Sequence, residues 1–286
     1  MRRRGAVWAA LVLLGLCALL LGIGYREALR DPVLRRLDVA VQGWPADAPP
    51  LRLALLSDIH FGAMSMDDAR LRQIVAQVNA AHPDIVLLAG DMVIGHDAEG
   101  ADARAAGLTA PLAGLHAPLG VFAVLGNHDH WTAPAAIRAA LARAGVTVLT
   151  NDAARRGPIA LLGVDDSYSG HDDVAATLAA WRRLGGVPVV VTHAPDLTTK
   201  LPPALPILLA GHTHCGQVVL PGWGPLLLHS VHEHWRLLYS PRLRCGVVAD
   251  RGRTIVVTAG VGSGTMPLRL GAPPDWWLVT LRRGRR

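Results

Sequence analysis

Cysteine is scarce in this 286-residue sequence, with Cys17, Cys215 and Cys245 as its three examples. None stands at a zinc-finger or redox spacing, which excludes a small zinc module and a Cys-x-x-Cys oxidoreductase. A Cys215–Cys245 disulfide would require an oxidising compartment and is not expected. No internal repeat or low-complexity tract occurs, which excludes a solenoid. Aromatic residues make up only 5% of the chain. The net charge is +6 and the pI about 10.0, but the arginines are scattered rather than gathered into a groove interleaved with stacking aromatics. Nucleic acid is therefore not an expected partner. Arginine concentrates only at the two ends, and the closing Leu281-Arg282-Arg283-Gly284-Arg285-Arg286 is read as a solvated tail.

Charge is absent from Gly5 to Tyr25, a run dominated by Leu, Ala and Val behind Arg2-Arg3-Arg4. About 20 apolar residues cross a bilayer core, so the run is long enough to span. A cleavable signal peptide is the rival. The length of the run and the lack of a clear Ala-x-Ala site after it favour an uncleaved anchor. Arginines ahead of the span point to a cytoplasmic N-terminus and an exported body. Arg26, Arg30, Arg35 and Arg36 beyond it weigh the other way. The expected organisation is a basic tip and anchor over 1–25, a tether over 26–50 carrying Pro32, Pro45, Pro49 and Pro50, and one catalytic domain over 51–286. Within the tether, Leu37 to Val41 alternates as an edge strand does.

From Leu51 the chain alternates short apolar runs with helical periodicity. Strands are expected at 51–56, 84–89, 121–125, 146–149, 159–164, 187–192 and 206–210, and helices at 66–81, 102–115, 134–144 and 172–184. In the first helix Leu71, Ile74, Val75 and Val78 share one face. Further strands at 246–249, 254–259 and 277–281 complete the pattern. Such an order predicts an α/β core built from two sheets.

The chemistry sits at the ends of these strands. Asp58-Ile59-His60 follows the first, Gly90-Asp91 the second, Gly126-Asn127-His128-Asp129 the third, Thr192-His193 the run from Val187, and Gly211-His212-Thr213-His214 the run from Pro206. Residues i and i+2 of an extended chain point to one side, so His212 and His214 can face one centre. In α/β sheets, ligands bind beyond the carboxyl ends of the strands, where such loops converge. Taken singly, each residue has a plain structural reading: Asp58 or Asp91 as a helix cap, Asn127 in a turn, His193 satisfied in the core. Five such strand ends in one chain are hard to reconcile with caps and turns. Mixed oxygen and nitrogen ligands suit Zn, Mn or Fe better than Ca.

Taken in order, these motifs resemble the calcineurin-like metallophosphoesterase family. Gly211-His212-Thr213-His214-Cys215-Gly216-Gln217 and the later Gly260-Val261-Gly262-Ser263-Gly264 through Pro267-Leu268-Arg269 are similar to its membrane-anchored or exported bacterial branch. The resemblance implies a four-layer α/β/β/α sandwich, here preceded by one N-terminal transmembrane helix, and two divalent metal ions (Mn, Zn or Fe). Asp58, His60 and His214 would hold one ion; Asn127, His193 and His212 the other; Asp91 would bridge both. His128 would be no ligand but an acid or electrostatic partner of the substrate, oriented by Asp129. Two ions about 3.5–4 Å apart clamp an in-line displacement at phosphorus and lower the pKa of a water. A phosphoester or pyrophosphate substrate follows from the resemblance, and the anchor points to a lipid-linked one, at the bacterial inner membrane with the domain on the extracytoplasmic side. The alternatives are a phosphodiesterase or phosphatase of soluble substrates, and a non-catalytic metal-binding membrane module. His128 and Asp129, which a dead site would not need, speak against the last.

His82, His96 and His116 read as surface positions, and His130 as a neighbour of substrate or ligands. Asp165-Asp166 and His171 read equally as pocket or solvated loop. His229, His232 and His234, with Trp223 and Trp235, lie in a stretch that overhangs the site. The apolar, turn-rich Leu220 to Leu228 is either a core hairpin or a lip with Trp223 at the headgroup level, where indole rings favour the interface.

Overall fold

In the computed structural model, which describes residues 2–230 and 233–284, two six-stranded sheets are stacked face to face with helices on both outer surfaces. The elements run α1 (Arg2–Ala28), β1 (Val33–Val41), β2 (Leu51–Leu56), α2 (Asp68–Ala80), β3 (Ile85–Ala89), α3 (Ala101–Leu112), β4 (Val121–Val124), α4 (Asn127–Trp131), α5 (Pro134–Arg143) and β5 (Val146–Val148). They continue β6 (Asp152–Arg156), β7 (Ile159–Gly163), α6 (Val174–Leu184), β8 (Val187–Val191) and β9 (Ile207–Ala210). Two small hairpins follow, β10 (Val219–Leu220) with β11 (Gly224–Pro225) and β12 (His229–Ser230) with β13 (Arg236–Leu237). The chain closes with β14 (Gly246–Asp250), β15 (Arg253–Val257) and β16 (Asp275–Arg283).

The first sheet has the order β1-β16-β2-β3-β4-β5 and the second β14-β15-β9-β8-β7-β6. Strands β2 to β5 are parallel, as are β7, β8, β9 and β15. Parallel strands joined by helices must be covered on both faces, which explains why they read as continuous apolar runs. Alternation along β2 sends Leu53 and Leu55 into the layer between the sheets, against Leu161, Val189 and Leu209. Ala54 and Leu56 point the other way, into the layer that α2, α3 and α5 cover. α6 packs over the outer face of the second sheet. The layers are thus α/β/β/α. On α2 the four predicted residues Leu71, Ile74, Val75 and Val78 are the buried ones, and Asp67 caps the helix by accepting from Arg70 N.

Three stretches differ from expectation. The edge strand expected at Leu37–Val41 starts earlier, at Val33, and runs in parallel register with β16 with Trp44 buried, so much of the 26–50 segment is not an open tether. Its prolines flank the strand rather than interrupt it, so the ladder is kept. Strand β6, Asp152–Arg156, has no strand-like composition and is held by antiparallel pairing with β7. Cys215 and Cys245 are joined by a disulfide, with Cα atoms 4.7 Å apart. The sheet brings together residues that sequence spacing alone left unrelated.

Helix α1 is long and apolar enough over Ala6–Ala28 to cross a membrane, and most of its described side chains there are exposed. At the far end of the molecule, Arg283 lies opposite Val41 while Asp275 lies opposite Val33 near the end of α1. About 3.3 Å per residue puts the basic tail some ~26 Å from that junction, which agrees with a solvated end. Arg285 and Arg286 lie outside the described residues.

Candidate metal centre

Every strand-end motif arrives at the same edge of the two sheets. β2, β3 and β4 of the first sheet deliver Asp58, His60, Asp91 and Asn127, and β8 and β9 of the second deliver His193, His212 and His214. All are buried or nearly so. Asp58, His60, Asp91, His212 and His214 have φ between 49 and 69, the left-handed region that non-glycine residues avoid. Such strain costs about 1–3 kcal/mol per residue and persists where function requires a geometry. The preceding glycines are there for space. A Cβ on Gly126 would meet Asp91 N at 2.5 Å, and one on Gly211 would meet Asp58 Oδ2 at 2.6 Å.

The donor atoms form two adjoining groups. His60 Nε2 lies 3.1 Å from His214 Nε2, and His214 Nε2 lies 3.4 Å from Asp58 Oδ1. In the second group His193 Nε2 lies 3.1 Å from Asn127 Oδ1 and 3.2 Å from His212 Nδ1. Asp91 Oδ2 stands between them, 3.6 Å from His60 Nε2 and 3.3 Å from His193 Nε2. Imidazole lone pairs facing each other at such distances need a proton or a cation between them. Asp58 Oδ1 and His60 Nδ1 are buried with no hydrogen-bond partner among the described residues. Acidic and imidazole donors in this arrangement fit divalent ions of the Zn, Mn and Fe type.

Burial holds three of the four imidazoles in the form that binds metal; it acts the same way on His193, but Asp91 and Asp58 raise that ring well above its ordinary value. Burial and the nearby Asp91 push the Asp58 carboxyl up to about 7, although His193 pulls against them. Burial also raises Asp91, but His193 and His128 together hold it well below the usual carboxylate range. Burial lowers His60 to about 3 and, with His193 beside it, His212 to about 4. Burial and His60 depress His214 as well. These three rings are kept neutral, the form that binds metal.

Backbone carbonyls set the tautomers of the second group. His193 donates Nδ1–H to Ala89 O at 2.8 Å and His212 donates Nε2–H to Leu238 O at 2.9 Å, turning Nε2 and Nδ1 respectively into the site. His128 stands at the rim, half-buried, with Nδ1–H donated to Gly95 O and its backbone N–H to Asp91 Oδ1 at 2.9 Å. Its ring meets that of His60 edge-on at 4.9 Å. Asp129 does not orient it. That carboxylate accepts from Met92 N at 2.8 Å and from Gly126 N at 2.9 Å, fixing the start of α4 and the loop after β3. As the third residue of a helix its natural partners are free backbone N–H groups.

Other residues fall differently from expectation. His96 is exposed yet stacks on Trp131 and lies 4.7 Å from the His128 ring, so it belongs to the rim; nothing in its sequence neighbourhood marks it. Asp165 and Asp166 are buried rather than solvated. Asp165 receives His130 at 2.9 Å, and Asp166 closes its own turn on Ser169 N at 2.7 Å. His171 stacks on His130 at 3.7 Å. Tyr168 meets His212 at 4.6 Å and carries Arg236 over its ring, so the second hairpin does reach the centre. His229 is exposed, and His232 lies outside the described residues. His82 and His116 are at the surface as expected.

Arg269 is wholly buried beside the first group. Its guanidinium donates to Gly262 O, Ala272 O and Ala259 O, and lies 3.2 Å from His214 Nδ1. Burial lowers it to about 10, opposed by Asp58. The loop it braces is bonded to the metal side through Gly262 N to Asp58 O at 2.9 Å.

Layered sheets with Asp, Asn and His gathered at their carboxyl ends define a metal-dependent hydrolase class. Residues 51–216 match the family model of the calcineurin-like phosphoesterases, and the chain belongs to that family of metal-dependent phosphohydrolases. It is 29% identical over 285 residues to a transmembrane protein with metallophosphoesterase domain from Danio rerio, covering 93% of this chain and 61% of that protein. It is 27% identical over 275 residues to the metallophosphoesterase YkuE of Bacillus subtilis, covering 91% and 90%. Among solved structures, a dimetal phosphatase from Danio rerio superposes with 14% identity and a TM-score of 0.48 over 76% of this chain and 89% of that one.

Proposed function

We propose that the protein is a membrane-anchored phosphohydrolase with two divalent ions, acting on a lipid-linked phosphoester or pyrophosphate. The convergence of seven donor side chains from five strand ends carries this reading. Asp58, His60 and His214 would hold one ion and Asn127, His193 and His212 the other, with Asp91 lying between the two groups. When bound, the ions supply the positive charge that a phosphoester needs and make a water acidic enough to attack near neutral pH. The protein's own part is to hold that charge and to move a proton. Carbonyls of Ala89 and Leu238 aim two imidazoles inward. His128, with Nδ1 committed to Gly95 O, keeps Nε2 for the leaving oxygen, a role worth about two to four decades of rate.

The anchor supports a membrane substrate, since it confines the site to the bilayer surface. The disulfide supports an extracytoplasmic domain, because such bonds persist in oxidising compartments. The full chain in detergent, reconstituted with Mn, Zn or Fe, is expected to hold two equivalents of metal and to prefer a lipid phosphoester in mixed micelles over its short-chain soluble analogue. Full activity without metal ends the reading; equal or better turnover of the soluble analogue ends its lipid part.

A further inference from the structure

The end of α1 is built into the wall of the metal centre. Arg269 N donates to Gly24 O at 2.9 Å, and the Leu268 side chain lies against Gly24. Arg70, on α2, caps the helix by donating to Ala28 O at 3.1 Å, to Arg30 O at 2.7 Å and to Leu29 O. Gln73 holds Asp31 at 2.8 Å. Ala28 is fully buried. A helix bonded at Gly24 and Ala28, and followed by Leu29, Arg30 and Asp31 all held to α2, is fixed in direction, so the domain takes one attitude to the membrane that α1 crosses.

The same junction leads outward to a group of exposed apolar side chains. Leu270 N donates to Gln217 O at 2.9 Å, Val219 N to Leu270 O at 2.8 Å and Gln217 Nε2 to Met266 O at 2.8 Å, tying the loop after β15 to the β10–β11 hairpin. Trp223 at that hairpin's tip is 89% exposed, Leu226 57%, Met266 42%, and Met64, four residues after His60, 76%. Ser65 is bonded to Ser263, so the Met64 loop joins the same rim. Large apolar residues grouped at exposed loop tips mark an interaction surface.

We infer that this rim of Met64, Trp223, Leu226 and Met266 rests in the headgroup layer of the bilayer that α1 spans, so that the metal centre opens toward the lipid surface. The partner is a phospholipid surface rather than a protein because the rim is tied, through Leu268 packed against Gly24, to the helix whose apolar side chains are exposed. Arg26 and Arg30 lie at the junction, where guanidinium groups meet lipid phosphates. Indole and thioether side chains suit that depth. This deepens the lipid-substrate reading and rests on it.

The test uses the full chain in phosphatidylglycerol-containing nanodiscs, with Cys17 replaced by Ser and one nitroxide label at a time at Met64→Cys, Trp223→Cys or Met266→Cys. Leu184→Cys on α6, away from the rim, is the control. Collision with oxygen reports lipid and collision with a water-soluble nickel chelate reports solvent. The rim labels are expected to collide with the chelate several-fold less than the control, and to regain chelate access when Arg70→Ala releases the clasp. Rim labels as open to the chelate as position 184 overturn the inference. So do labels shielded from both reagents, which mean a protein partner, and rim depth unchanged by Arg70→Ala, which removes the clasp. No substrate is present, so a rim in water leaves the mixed-micelle result standing, and a soluble-substrate preference with the rim in lipid refutes the function but not the attitude.

Discussion

The two halves of the metal centre are built on different terms. Around Asn127, His193 and His212, strand-end carbonyls fix each imidazole: Ala89 O takes His193 Nδ1–H and Leu238 O takes His212 Nε2–H. Around Asp58, His60 and His214 no such carbonyl serves. His60 Nδ1 is buried without a partner among the described residues, and His214 leans on Arg269. The first half is therefore oriented by packing and by a loop that is bonded to the end of α1, the second by the sheets. Hydrogen bonds to the outer ring nitrogen set tautomer and basicity, so the second half is preorganised and the first is the one the surroundings can perturb.

Asp91 belongs to both halves, and replacing it has the largest expected effect. Asp91→Asn is expected to empty both metal positions together and abolish turnover, whereas Asp58→Asn empties only one; metal analysis showing the same single loss in both variants breaks the division. In the proposed assignment His128 is a ligand of neither half, although it lies within reach of His60 and Asp91. His128→Ala should cost about two to four decades in kcat with both metals retained, and a lost equivalent would make it a ligand.

Arg269 sharpens the contrast further. Arg269→Lys keeps a charge but cannot replace five fixed donors, so affinity at the first half should fall about tenfold to a hundredfold while the second holds. Titration with a competing chelator reads the two constants, and equal weakening of both would mean that the loop supports the whole centre. The smallest effect on turnover is expected from Cys245→Ser. The disulfide closes a 30-residue separation, which corresponds to about 3–4 kcal/mol of stability by loop entropy. Thermal unfolding should show that loss with metal content unchanged. A missing equivalent would show that the bond also holds His214, its neighbour in sequence.

Much of the architecture was legible in the chain because parallel strands buried on both faces must be continuous apolar runs. Leu51–Leu56, Ile85–Ala89 and Ile207–Ala210 were found at or within one residue of their bounds for that reason. Strand β6 and the second hairpin were not, since their residues carry no pattern of their own and are held by partners, whereas the first hairpin falls in the stretch read as a hairpin or a lip. The seven donor residues stood out because each follows a strand end, and residue type with position suffices to suspect a site. The roles of the neighbours did not stand out. Asp129 adjoins His128 in sequence, yet its carboxylate turns to backbone N–H groups. His96 gave no signal, yet its ring meets His128.

Local sequence determines strands, helix faces and the kinds of donor available, because those depend on period and on residue chemistry over a few positions. Which donors face one another, that Cys215 meets Cys245 and that the edge strand read at Leu37–Val41 begins at Val33 in register with β16 were decided by the stacking of two sheets. So was the junction of Gly24 with Arg269, a contact between residues at opposite ends of the chain. Contacts of that separation follow from how the layers close, and no period along the chain records them.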